Sequence, residues 1–174
     1  DSYTVNNTSV AAIWVFQGDV TITETAGYVQ WNKSTGTITF SGTNDQTITT
    51  PAGWTDVLED IDVNKSAGTL TLAGDVYTDS FTGTSGTMTL GGNTVTSTGN
   101  IAVNSPFNFS AAQTTSSFDI QSGTLALNGA NGAQLIVDDI DFAMSAGVTG
   151  AATYADVTNS TATGDADIDA SDGT

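Results

Sequence analysis

Positions 64–74 read NKSAGTLTLAG, and positions 32–42 read NKSTGTITFSG, nearly the same sentence 32 residues earlier. Within each copy an apolar side chain recurs at every second residue: Ile38 and Phe40 in one, Leu70 and Leu72 in the other. That alternation is the period of a strand buried on one face, and the flanking glycines supply bends. Two further copies lack the lysine but keep the rest: TSGTMTLGGNTV from Thr84, with Met88 and Leu90, and QSGTLALNGA from Gln121, with Leu125 and Leu127. The marker glycines Gly36, Gly68, Gly86 and Gly123 are spaced by 32, 18 and 37 residues, so the outer gaps are close to twice the middle one. LEDIDVNKSAG from Leu58 also aligns without gaps to VDDIDFAMSAG from Val137, at an offset of 79 residues.

A period of about 18–20 residues is too short for a helical repeat or a propeller blade and suits one coil of a parallel β-solenoid. Equivalent strands of successive coils would then pair in parallel about 4.8 Å apart, each coil covering the apolar interior of the next. Gly91-Gly92-Asn93 and Thr98-Gly99-Asn100 have the chemistry of tight corners. Thr and Asn on the outside would stack into hydrogen-bonded ladders. The alternative is a β-sandwich or jelly roll completed by a donated strand, because short strands with regular turn signals fit both. The near-regular glycine spacing favours the solenoid.

The composition agrees with an all-β chain. Charged residues are only 12% of the 174, about half the usual share, and Thr, Ser, Asn and Gly fill the gap. Nineteen acidic residues against two lysines, with no arginine or histidine, leave a formal charge of −17. No basic patch exists to release counterions from a phosphate backbone or an anionic membrane, which argues against nucleic acid and lipid as partners. A saline, calcium-rich or acidic exterior would relieve the self-repulsion. The chain has no cysteine, so disulfides and thiol chemistry are excluded. The longest apolar run, VAAIWVF from Val10 to Phe16, is far too short to span a membrane, so no insertion is expected. The start at Asp1 without methionine is expected of a removed signal peptide or an excised piece.

Two regions follow: residues 1–30, which depart from the repeat, and a solenoid domain over 31–174. SVAAIWVF in the first region reads either as a cap over the first coil or as a strand donated to another subunit. Either device covers an end whose backbone groups would otherwise be unpaired. Val10, Ile13, Trp14 and Phe16 are therefore the candidate subunit contacts, and self-association into a homopolymer is the expected partnership.

NKSAGTLTLAGDV, SGTMTLGGNTVTSTGN and the closing YADVTNSTATGDADIDASDGT resemble the repetitive right-handed parallel β-helix segments of bacterial and archaeal surface and secreted proteins, adhesin and autotransporter passengers among them. The resemblance covers about residues 34–174 and rests on composition and period. It implies a β-helix at the cell exterior, in a structural subunit of a filament or surface assembly, or in an adhesin or carbohydrate-binding fragment with glycans as partners. Such proteins usually continue into a tryptophan-bearing final strand. An end at Thr174 is thus expected of a fragment, a trimmed chain or a subunit completed by its neighbour.

Candidate chemistry is sparse. Without histidine or cysteine there is no Ser-His or Cys-His device and no preferred zinc ligand, and no GxGxxG or P-loop occurs. The chain reads as no enzyme. Asp138, Asp139 and Asp141 superficially resemble the aspartates of β-helical polygalacturonases, but that family's histidine and basic motifs are missing; a solvated acidic edge is the plain reading. Asp165, Asp167 and Asp169 alternate with apolar residues along one strand, so their carboxylates share a face that could hold calcium, the one cofactor considered. N-x-S/T acceptors start at Asn6, Asn7, Asn32, Asn64, Asn108 and Asn159, candidate glycosylation sites in an extracellular protein. The two Asn-Lys-Ser stretches also read as bends whose lysines lie outside and neutralise Asp60 and Asp62. Trp31, Trp54, Tyr28 and Tyr77 could stack on sugars, although aromatics in a thin β core more often fill volume.

Overall fold

Alternating apolar and hydroxyl residues leave no apolar stripe at helical spacing, and the described residues contain strands, turns and bends but no helix. The computed structural model describes residues 4–6, 11–23, 30–109, 116–130, 135–138, 140–158, 160, 162–164 and 168–171. The chain opens with β1 (Thr4–Asn6), β2 (Ile13–Phe16) and β3 (Val20–Thr21), then β4 (Gln30–Asn32), β5 (Thr37–Gly42) and β6 (Gln46–Thr49). A long β7 (Asp60–Leu72) turns a corner in one run and is followed by β8 (Val76–Thr78); β9 (Phe81–Thr89) and β10 (Thr94–Ser97) repeat that arrangement. Next come β11 (Ile101–Asn104), β12 (Phe107–Phe109), β13 (Ser116–Ile120), β14 (Thr124–Asn128), β15 (Leu135–Asp138) and β16 (Ile140–Met144). The last are β17 (Thr149–Thr153), β18 (Ala155–Thr158), β19 (Ala162–Gly164) and β20 (Ile168–Ser171).

These strands stack into a three-sided parallel β-solenoid. The first face runs β2-β5-β7-β9-β11-β14-β17-β20. On the second, β3 pairs with β6, β6 with the later half of β7, that half with the later half of β9, and β9 with β12. β15 lies against β12 and pairs with β18. The third face runs β8-β10-β13-β16-β19, extended by a bridge from Leu58 to Thr78. β1 and β4 pair with each other and fall in chain order where the third-face strand falls in later coils. Every pairing named here is parallel, because each strand meets its counterpart only after the chain has travelled round the other two faces.

The register shows what fills the interior. On the first face Ile38, Ile61, Phe81, Ile101 and Leu125 stand one above another, and Ala102 and Ala126 take the alternate, less buried row. The aromatic side chains are placed across the centre. Phe118 stacks on Phe142 with centroids 5.9 Å apart and planes 7° apart, and Phe81 tilts against Phe118 at 5.6 Å. Full burial of each such ring contributes about 1.5–3 kcal/mol. Coils range from 18 residues, Gly150 to Ile168, to 28, Val20 to Ile48. The differences fall between the paired strands, where the backbone need not keep register.

The near-identical stretches turn out to occupy different faces. Ile38 and Phe40 share the first face with Leu125 and Leu127, whereas Leu70 and Met88 pair on the second. Leu70 and Leu72 therefore sit over Gln46 and Ile48 and not over Ile38 and Phe40. Only the 18-residue gap between Gly68 and Gly86 is a one-coil step, as the pairing of Thr69 with Thr87 shows. The 32-residue gap is a coil plus the advance from the first face to the second. The same holds for the match at offset 79: Ile61 is on the first face and Ile140 on the third. Lookalike segments encode a bend followed by a strand, and that unit serves any face.

Candidate functional site

Two places stand apart from the regular stack: the terminal rung β2 and the corner that holds Lys65. β2 is built like the rungs above it but lacks their polar exterior. Its register sets Trp14 opposite the inward Ile38 and Phe16 opposite Phe40, while Ile13 and Val15 align with Thr37 and Thr39 on the outward row. Phe16 stacks on Phe40 at 5.8 Å, and Trp14 tilts against Trp31 at 6.3 Å. Ile13 is 74% exposed, Val15 58% and Trp14 37%. The coil above carries Thr37 and Thr39 at the Ile13 and Val15 positions, and the next carries Asp60 and Asp62. Among the described residues β2 is the end of the first-face sheet, with no strand on its outer edge. An apolar cavity of about 120 Å³ lies behind it, between Phe16, Val20, Ile22, Trp31, Phe40 and Leu58. Val10 lies outside the described residues.

At the corner between the first two faces, the expected outward lysine is turned in. Lys65 is 1% exposed; its Nζ donates to the Asn44 carbonyl at 2.8 Å and to Gln46 Oε1 at 2.5 Å. Gln46, equally buried, passes the connection down one coil by donating to the carbonyls of Phe16 at 3.1 Å and Gly18 at 3.0 Å. A hydrogen-bonded column thus ties three coils together, with side-chain donors on the carbonyls of Asn44, Phe16 and Gly18 at this corner. Burial lowers the Lys65 pKa from its ordinary 10.5, against an upward pull from the Asp45 carboxylate. The pairing expected with Asp60 and Asp62 is not made. Asp60 accepts from Ser80 Oγ and Asp62 from Thr84 Oγ1, both neutral partners one coil on. Lys33 does lie at the surface, but its partner is Asp79.

The remaining candidates are distributed as follows. Trp54 is buried, and Trp31 is half-buried with its Nε1 donating to Glu59 Oε2 at 2.6 Å. Tyr77 is half-buried against the core and Tyr28 lies outside the described residues, so Trp31, Trp54 and Tyr77 pack in or against the core. Asp138 is half-buried on β15, Asp141 is exposed on β16 and Asp139 is outside the described residues. Asp165 and Asp167 are likewise outside; Asp169 is on β20 with its backbone opposite Ala151. Among the described residues no three acidic side chains are grouped to hold a metal ion. Asn32, Asn64 and Asn108 are exposed, Asn6 is on β1, and Asn7 and Asn159 are outside the described residues. No described helix is long and apolar enough to cross a membrane.

Glu59 and Asn44 were silent in the sequence. Glu59 is fully buried and accepts from Trp31 Nε1 and from the Ser34 amide at 3.2 Å. The one available signal was Gln46 itself, which takes the place of an apolar residue in the alternation of Gln46-Thr47-Ile48. The class defined here is an acidic, three-faced parallel β-solenoid with an apolar terminal rung. Comparison with family models, with curated proteins and with solved structures finds no match for the chain.

Proposed function

We propose that the chain is a non-enzymatic structural subunit of an extracellular filament or cell-surface assembly, in which solenoids associate end to end. The observation that supports this most is β2: a sheet edge with no partner among the described residues, whose outward positions are Ile13 and Val15 where later coils carry threonine and aspartate. Parallel rungs suit such growth, because the two ends of a parallel stack present complementary rows of donors and acceptors. A head-to-tail contact that does not close generates a filament. With a charge of −17, association would strengthen with salt or divalent cations, which screen the repulsion between copies. The test is light scattering and negative-stain imaging over a range of salt and calcium, on the parent chain and on Val15→Lys. Salt-promoted fibres that the lysine suppresses are expected. A chain that stays monomeric throughout would sink the reading.

The adhesin reading, with glycans as partners, is favoured by one separate observation: a notch with no carboxylate among its described lining residues, on the corner of an otherwise acidic solenoid.

A further inference from the structure

The corner between the first two faces is not uniform. From Asn64 to Thr69 β7 takes five steps, where its partner β9 takes two from Ser85 to Thr87. On the other side the chain takes four steps from Val103 to Phe107, where β9 takes three from Gly83 to Gly86. A short corner between two longer ones leaves a notch. It measures about 410 Å³ and is lined by Ser66, Gly68, Ser85, Thr87, Pro106 and Asn108 among others, a volume within the range of small-ligand sites. Gly86 forms its floor with φ of +100°, and a Cβ there would stand 2.6 Å from Lys65 Cβ.

The chemistry of the lining narrows the ligand. Among the described residues no acidic side chain lines the notch, so it offers no carboxylate to a metal cation. Lys65 contributes its stem, but Nζ points to Asn44 and Gln46, so no ammonium faces an anion either. What remains is neutral. The Thr87 hydroxyl makes no side-chain hydrogen bond to another described residue, and Asn108 engages only Nδ2, towards the Pro106 carbonyl at 3.0 Å. The single hydrogen of Ser85 Oγ is shared between Asn64 Oδ1 at 2.8 Å and the Lys65 carbonyl at 3.0 Å, so the oxygen can still accept. Uncharged donors and acceptors beside the Pro106 ring match the hydroxyls and C–H faces of a sugar.

We propose that this notch is a binding site for a neutral saccharide of one or two rings, held by Ser85, Thr87 and Asn108 against Pro106. The inference deepens the adhesin reading and does not depend on assembly. The test is titration of the isotopically labelled full chain with neutral oligosaccharides of hexose and N-acetylhexosamine, and with an acidic uronate oligosaccharide, followed by backbone amide shifts. Shifts at Gly68, Gly86, Thr87 and Asn108 are expected with a neutral sugar. Thr87→Tyr, which fills the notch from an outward position, and Asn108→Ala should each weaken binding about tenfold. Thr82→Tyr, elsewhere on the same strand, should leave it unchanged. Neutral-sugar shifts confined to another face, undiminished by Thr87→Tyr, would overturn the notch and leave the adhesin reading standing. Preference for the uronate would overturn the neutral class, and silence from every sugar would remove both notch and adhesin reading.

Discussion

Gly83 lies directly beneath the ring of Phe107: a Cβ on residue 83 would stand 2.8 Å from the ring's Cγ. In the inner row of the first face, Gly83 falls between Val63 and Val103. The volume its neighbours fill with valine is filled here by a phenylalanine that is itself fully buried. Gly83→Val should therefore destabilise the chain by about 1–3 kcal/mol through overpacking. Phe107→Ala alone should also destabilise, and the pair together should cost less than the sum. A denaturant double-mutant cycle with no coupling would contradict the close approach.

Lys65→Met should lower stability at neutral pH by about 1–3 kcal/mol, because it leaves the buried Gln46 Oε1, and the Asn44 carbonyl beside it, without this donor. The variant should also change the response to base. Burial sets the folded Lys65 pKa below 10.5, so the unfolded chain holds this proton to higher pH than the folded one. The site's contribution thus rises as pH climbs from the folded value to 10.5, and is lost as pH falls back through that window. Subtracting the variant's alkaline unfolding curve from that of the parent should isolate the rise. Identical slopes would show that the ammonium is not desolvated.

At Asp79 burial pushes the carboxyl up, and hydrogen bonds from Lys33 and Thr98 with the Lys33 charge outweigh it, so its pKa lies below the ordinary 3.8. The associated stability is present above 3.8 and is lost as pH falls through the folded value. Both side chains are more than a third exposed, and Lys33→Met should cost less than about 1 kcal/mol at pH 7. The loss should shrink in high salt and vanish in acid. A cost that persists in molar salt would point to packing of the lysine stem.

Phe118 contacts Phe81, Phe109 and Phe142 in the middle of the stack. Phe118→Ala should cost about 3–5 kcal/mol, measured from the denaturation midpoint at unchanged slope. Phe118→Leu should cost markedly less.

Much of the architecture was legible in the residues. Ile38-Thr39-Phe40 and Leu125-Ala126-Leu127 alternate as one-sided strands do, and they lie in the same parallel sheet. Gly68 marks a true corner: its φ is +72°, and a Cβ there would meet the Asn44 backbone at 2.7 Å. The site was less legible. Ile13, Trp14 and Phe16 stood out as an apolar departure from the repeat, but Lys65 looked like a surface charge. Its inward course depends on Asn44 and Gln46, 21 and 19 residues away, a separation no local pattern conveys.

Sequence alone determined that the backbone is extended, that glycines break it into short strands and that the strands can cover one another in a stack, because alternation and turn chemistry act within a few residues. Tertiary structure decided which face each strand joins, since that depends on the length of every corner before it. It also decided that Phe107 takes the space above Gly83, and that one of two lysines in matching phrases is buried while the other reaches solvent. Those outcomes follow from contacts a full coil apart, where volume and unpaired carbonyls must be satisfied by whatever the neighbouring coil brings.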